Sequence, residues 1–442
     1  MQLKSLVWLI FGGVDLRQEL SQLPDKMKSA LVAIAALTVA ANVAAADSTV
    51  PGFKKVELTD KFWAEGADFG DFNRDGVMDV ASGPFWYEGP DFKTRHEYRP
   101  AIASFTRTNA DGTVEKIPGF EGALGSKNAY SDNFFTFVYD FNHDGWPDIM
   151  VIGFPGREAY WYENPKGGPG PWQQHLIYTN VENESPAFTD LIGEGKPQLV
   201  CNSGGYFGYA QADWNAPDRP WTFHRISPKG PWSRFQHGLG VGDVNGDGRM
   251  DLLEKDGWWE QPASLAGDPP WQFHPFPFST KGCAQMYAYD VNGDGLNDVI
   301  CCLNPHGYGL AWFEQVRTNG EITFRQHLIL NPDAKPDKNG VVFSQPHALA
   351  LVDMDGDGLK DLVTGKRFWA HGKDGPDPDE NGAAVLYWFQ LVRGPNGQAD
   401  FIPHLIDTNS GVGTQVMTGF TGDTKKPAIV VGNKKGVFVF ER

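Results

Sequence analysis

The nine residues DVNGDGLND, Asp290 to Asp298, decide how the chain is read. Side-chain oxygens stand at alternate positions, Asp290, Asn292 and Asp294, Gly295 permits a sharp turn, and Asp298 closes the loop. The pattern D-x-[DN]-x-D-G-x-x-D occurs five times, beginning at Asp71, Asp140, Asp243, Asp290 and Asp353. Two worn copies keep the phase: DLIGEGKPQ from Asp190 and FTGDTKKPA from Phe420. Seven copies at spacings of 47 to 69 residues fall in the range of propeller blades with insertions.

The flanks repeat as well. After each loop comes an apolar strand such as DIMVIG, DVICCL or AIVVG, then an aromatic one such as FWYEG, YWYENP or GWWEQP. Next comes W/F-x-x-H, ending at His175, His224, His274, His327 and His404, with a looser version at His96. A further strand, as in GLGVGD and ALALVD, leads into the next loop. Four short strands per unit make a blade. The sequence therefore predicts an all-β, seven-bladed propeller with four-stranded blades over 47–442. The chain ends on a third strand, VFVFE, and FKKVEL from Phe53 resembles the missing fourth, so the N-terminal strand is expected to complete the last blade and close the ring.

Composition agrees. Of 442 residues, 52 are Gly, 31 Pro, 30 Phe and 15 Trp, which favours turns and strands over helices. The formal charge of −17 argues against a nucleic-acid partner, which needs a basic face. Residues 27–46, MKSALVAIAALTVAANVAAA, have the charge, apolar stretch and small-residue end of a bacterial-type secretory signal, and no stable membrane span. Residues 1–26 read as an over-extended start, with Met27 as initiator, and a secreted or periplasmic protein is expected. Of the four cysteines, Cys283 could bridge to Cys301 or Cys302, and buried free thiols are the alternative.

A cage of hard oxygens suits calcium. The expected ligands are Asp71, Asn73, Asp75, the carbonyl of Val77, and Asp79; Asp140, Asn142, Asp144, Trp146 carbonyl and Asp148; Asp243, Asn245, Asp247, Arg249 carbonyl and Asp251; Asp290, Asn292, Asp294, Leu296 carbonyl and Asp298; and Asp353, Asp355, Asp357, Leu359 carbonyl and Asp361. An EF-hand would need Glu at position twelve, where four of the five loops have Ser82, Val151, Cys301 or Thr364, and only Glu254 fits. Without metal, each hairpin would crowd three or four carboxylates. About five calcium sites with a scaffolding role are expected.

These loops resemble the FG-GAP/VCBS repeat family, which includes the integrin α-chain propeller, over residues 53–441. The resemblance implies calcium in the hairpin joining the first two strands, on the bottom face, and ligands on the opposite, top face. The third copy keeps Asp190 and Glu194 but has Gln198 in place of the closing Asp, and the seventh has lost its ligands.

By the family's strand order, His237, His306, His347 and His371 map to the top face. His237 and His347 stand six residues before their loops, where other blades have Glu65, Phe134, Glu184, Ala284 and Thr414. Glu65, Glu184, His237 and His347 are expected to converge on the axis and suit zinc, manganese or acid–base work. A plain channel lining is the alternative. Arg157, Lys255, His306, Tyr308, Lys366, Arg367 and Lys434 make a cationic, aromatic rim for an anionic or hydroxyl-rich ligand. Insertions 97–132 and 370–384 fall on the same face.

Two functions follow. One is a secreted calcium-binding propeller that takes a glycan or protein ligand on its top face. The other is a carbohydrate lyase or dehydratase, since WYENP with W-x-x-H and HG/HA before the loop resembles the propeller part of aldos-2-ulose dehydratases. That resemblance implies that His237 or His347 binds metal or acts as base, while Arg157 or Lys366 neutralises a substrate carboxylate.

Overall fold

The computed structural model describes residues 52–101, 104–109, 111–118, 130–421 and 426–442. The expected leader, the tip of the seventh loop and part of the first insertion lie outside them. Apart from a hairpin of Ser104–Thr108 with Val114–Pro118, the strands form five four-stranded sheets and one eight-stranded sheet. Each four-stranded unit is an antiparallel meander, and the whole has a β-propeller arrangement. In the eight-stranded sheet two meanders meet through parallel pairing of Leu239 with Gln285 and Gly240 with Met286. Among the described residues no helix is long and apolar enough to cross a membrane.

The strand after each acidic loop is buried along its whole length: Asp79–Ser82, Asp148–Ile152, Gln198–Ser203, Asp251–Glu254, Asp298–Cys302, Asp361–Lys366 and Ala428–Asn433. Its continuous apolar run follows from covering on both faces. Because side chains alternate, successive residues serve successive interfaces. Val299 and Cys301 pack toward Trp258 and Leu253 of the preceding unit. Ile300 and Cys302 pack toward Leu362 and Phe389 of the following one. Seven such apolar clusters join neighbouring units, and one of them unites Val80 and Tyr87 with Val430 and Val439 near the other end of the chain. Strand Lys54–Thr59 pairs with Gly436–Glu441, as the terminal patterns predicted.

The repeated fourth-strand histidines pack. His96, His175, His274, His327 and His404 lie on Trp86, Trp161, Trp258, Trp312 and Trp388 at centroid distances of 3.9 to 4.4 Å. Their Nε2 atoms bond Glu88, Glu163, Glu260, Glu314 and Gln390, two residues beyond each Trp. His224 stacks on Tyr209 instead. All four cysteines are buried and free.

The acidic hairpins share one geometry. Asp71 accepts the N–H groups of Asp75 and Gly76, Asn73 also accepts from Asp75, and Asp75 accepts from Val77. Gly76, at φ +87°, makes the left-handed turn that a side chain would strain. In the sixth unit, oxygens of Asp353, Asp355 and Asp357 lie within 4.8 Å of one another, a donor set of the hard type. The closing aspartates have a duty that spacing did not foretell. Asp79 accepts Phe72 N–H through one oxygen and Gly89 N–H through the other, both at 2.8 Å, tying three strands together.

Candidate functional site

The four histidines expected on the top face gather in one place, together with Glu184. His237 Nε2 lies 3.1 Å from His347 Nε2 and 3.1 Å from His306 Nε2. The three rings are 4.9 to 5.0 Å apart and inclined at 75 to 76° to one another, so they surround a common point. Glu184 Oε2 stands 3.3 Å from His347 Nε2 and 3.7 Å from His237 Nε2. Of the four residues expected on the axis, Glu65 alone is held back from this cluster, through Arg367.

Local backbone features aim these side chains. His237 lies between Phe235 at φ +71° and Gly238 at φ +96°. His347 follows Gln345 at φ +60°, and the pairing register of its strand shifts between Pro346 and Leu349, an irregularity at the ring that meets His237. His306 rides on a turn closed by Asn304, whose side chain accepts its N–H at 3.1 Å. Gly307 fits there because a Cβ would meet the Asn304 amide at 2.2 Å.

Arg367 organises the anionic side. Its Nε donates to Glu65 Oε2 at 3.1 Å, and its Nη1 to Glu184 Oε2 at 3.1 Å and His347 Nε2 at 2.9 Å. Burial would raise the Glu184 carboxyl, but His237, His347 and Arg367 hold it well below its ordinary range. Burial pushes His237 down to about 4, and burial with the Arg367 charge pushes His347 well down. Burial thus favours neutral imidazoles at His237 and His347 beside a carboxylate.

Arg367 does not explain the whole cluster. His237 Nδ1 lies 2.7 Å from the Phe235 carbonyl, so it carries the proton and leaves Nε2 as a lone pair. Asp377 Oδ1 lies 3.5 Å from His306 Nδ1, which is buried and has no hydrogen-bond partner among the described residues. The His237 lone pair faces His306 Nε2 at 3.1 Å. Nitrogen donors, one carboxylate and an outer partner on His237 make a set that suits zinc or manganese.

The cluster opens into a cavity of about 410 Å³, walled by Tyr130, Phe134, Phe154 and Phe235, with His371 and Ala370 on another side. His371 Nδ1 lies 2.6 Å from Asp377 Oδ2, so Nε2 is the ring nitrogen left for a ligand. Burial raises Asp377, but His306 and His371 outweigh it and hold the carboxyl below its usual range.

The expected cationic rim is largely absent. Lys366 is fully buried on the Ser344 hydroxyl, 3.7 Å from Asp379, where it cannot meet a ligand. Arg367 is buried between two carboxylates, and Lys434 bonds the Trp369 and Ala370 carbonyls. Lys255 pairs with Asp256, and neither it, Tyr308 nor Arg157 lines the cavity. The second insertion supplies Asp379 to Lys366 and the Ala370 carbonyl to Lys434, which a loop-tip reading of GKRFW misses. Phe154, Phe235 and Asp377 were not singled out in the sequence. Only the position of Phe235 two residues before His237, and of Asp377 inside the insertion, could have drawn attention to them.

Residues 140–201 and 290–364 match the FG-GAP-like repeat family. No curated protein matches the sequence. Solved structures similar to this chain include an Agrocybe aegerita lectin described for specific recognition of non-reducing terminal N-acetylglucosamine (17% identity, 82% of this chain and 81% of that one, TM-score 0.41). Another is the Photorhabdus luminescens Tc holotoxin pore (12% identity, 83% of this chain and 18% of that one, TM-score 0.35).

Proposed function

Because the chain carries FG-GAP-like repeats in a propeller arrangement, we propose that it is an exported, calcium-braced, seven-bladed ring whose top face acts on carbohydrate through a divalent metal centre. The carrying observation is the convergence of three imidazole Nε2 atoms and the Glu184 carboxylate beside a cavity. Seven inter-unit clusters and the pairing of the two terminal segments support the closed ring. Residues 27–46 support export, and the oxygen-rich hairpins support calcium.

His237, His306, His347 and Glu184 would hold zinc or manganese. When bound, the ion would supply a Lewis acid for a sugar oxygen beside these donors. The reaction class is elimination or dehydration. His371, oriented by Asp377, takes a proton from a ring carbon. The neighbouring C–O bond breaks, a C=C bond forms, and the proton passes to the departing oxygen. A binding-only module is the second reading, and it leaves the His371–Asp377 pair without a task.

The test is metal analysis of protein loaded with zinc or manganese and then dialysed, alongside product assay on a panel of glycans. One tightly held ion, lost in His237→Ala/His347→Ala, and an unsaturated product are expected. Asp377→Asn should weaken metal binding about 10–100-fold while the protein stays folded. Absence of a stoichiometric ion in the wild type overturns the metal centre. A bound ion with sugar binding but no product favours the binding module.

A further inference from the structure

Phe235 combines two unusual properties. It is one of the exposed large hydrophobic residues, with 40% of its surface accessible, and its backbone is left-handed at φ +71°. Such backbone is strained and persists where surrounding structure over-determines it. Here its carbonyl fixes the tautomer of His237 while its ring faces the cavity beside Phe154, 5.4 Å away and edge-on.

Arg234, the preceding residue, is exposed and lies over both rings, its Cζ 4.9 Å from the Phe235 centroid and 5.9 Å from that of Phe154. Gly156 makes room for it, since a Cβ there would come within 2.7 Å of Arg234 Cδ. Among the described residues Arg234 has no acidic partner, although the chain carries 55 acidic side chains against 38 basic ones. A guanidinium resting over aromatic rings, with no acidic partner, keeps N–H groups free for a planar, bidentate anion.

We propose that Arg234, Phe235 and Phe154 form a specificity subsite for the carboxylate of an acidic sugar. The rings take the apolar face of the pyranose, and Arg234 takes its carboxylate at the mouth of the cavity. This rests on the carbohydrate reading of the histidine site and adds the substrate class to it. It also moves the anion-recognising role from Lys366, which is buried, to a residue of the fourth unit.

The experiment is calorimetric titration of the zinc-loaded protein with digalacturonate and with galactobiose, its neutral counterpart. Digalacturonate is expected to bind more tightly, with an advantage that shrinks as salt rises. Arg234→Gln should weaken digalacturonate at least about tenfold, as for a charge-assisted bond, and leave galactobiose unchanged. Phe235→Ala should weaken both. Arg234→Lys should restore part of the loss, and circular dichroism should show each variant folded. Equal binding of the two sugars, or digalacturonate binding indifferent to Arg234→Gln, overturns the acidic subsite and leaves the carbohydrate reading standing. If neither sugar binds, the carbohydrate reading falls too, whereas metal retention is judged separately by ion analysis.

Discussion

Gln198 Oε1 accepts the backbone N–H of Leu191 at 2.8 Å, the same bond that Asp79 makes to Phe72, Asp148 to Phe141 and Asp298 to Val291. An uncharged amide therefore makes the hairpin half of the closing aspartate's bonds, while its Nε2 turns to the Lys196 carbonyl. Gln198→Ala should destabilise the protein by about 1–3 kcal/mol, since it leaves a buried donor without a partner. Gln198→Asp should cost less, because its oxygens can reach the same N–H. Urea unfolding midpoints decide the order.

The intact hairpins present carboxylate oxygens close together, as at Asp353, Asp355 and Asp357. If calcium occupies them, a calcium-selective chelator should lower the melting temperature and added calcium should restore it. At a hundredfold excess over Kd, each site contributes about 2.7 kcal/mol. Asp294→Ala should reduce the calcium count by one and the melting temperature by only part of that drop. An unchanged melting curve in excess chelator contradicts the scaffolding role.

Arg367 is the electrostatic keystone beneath the histidines. Removing it leaves Glu65 and Glu184 buried without their cation, so Arg367→Met should cost about 3–5 kcal/mol. Adding Glu65→Gln should recover part of that loss. Strict additivity in the double-mutant cycle would mean that the two groups do not interact.

Burial pushes the Glu254 carboxyl up to about 7 from its ordinary 4.5. Between those values the folded state binds more protons than the unfolded one, so this group makes stability fall as pH rises, levelling off above about 7. Glu254→Gln keeps an acceptor for the Asp256 N–H and removes the titration. It should therefore gain on the wild type at pH 8 and match it most closely near pH 4. Paired denaturation curves at the two pH values test the difference.

The repeat was legible because it is local. Nine residues carry the loop, the apolar run that follows recurs in phase in every unit, and Trp with His recurs at fixed places in five of them. The histidine cluster was partly legible for the same reason, since His237 and His347 occupy one repeat position. His306 was grouped with them by strand order alone, and its partners lie 69 residues upstream and 41 downstream, with no local pattern to link them. Lys366 and Arg367 misled because charge in a short loop reads as exposed. Here the insertion supplies Asp379 to Lys366, while Glu65 and Glu184 from other units bury the guanidinium.

One sheet joins Lys54 to Glu441, 387 residues apart. Synthesis at about 5–20 residues per second separates those two strands by roughly 20–80 seconds. Throughout that interval the early strand has no partner, and the first unit shows an uncovered apolar flank around Val80 and Tyr87. A nascent chain of this kind is thus exposed to off-pathway association until its last few dozen residues emerge, and shortening its C-terminal end should harm solubility more than the few lost contacts suggest.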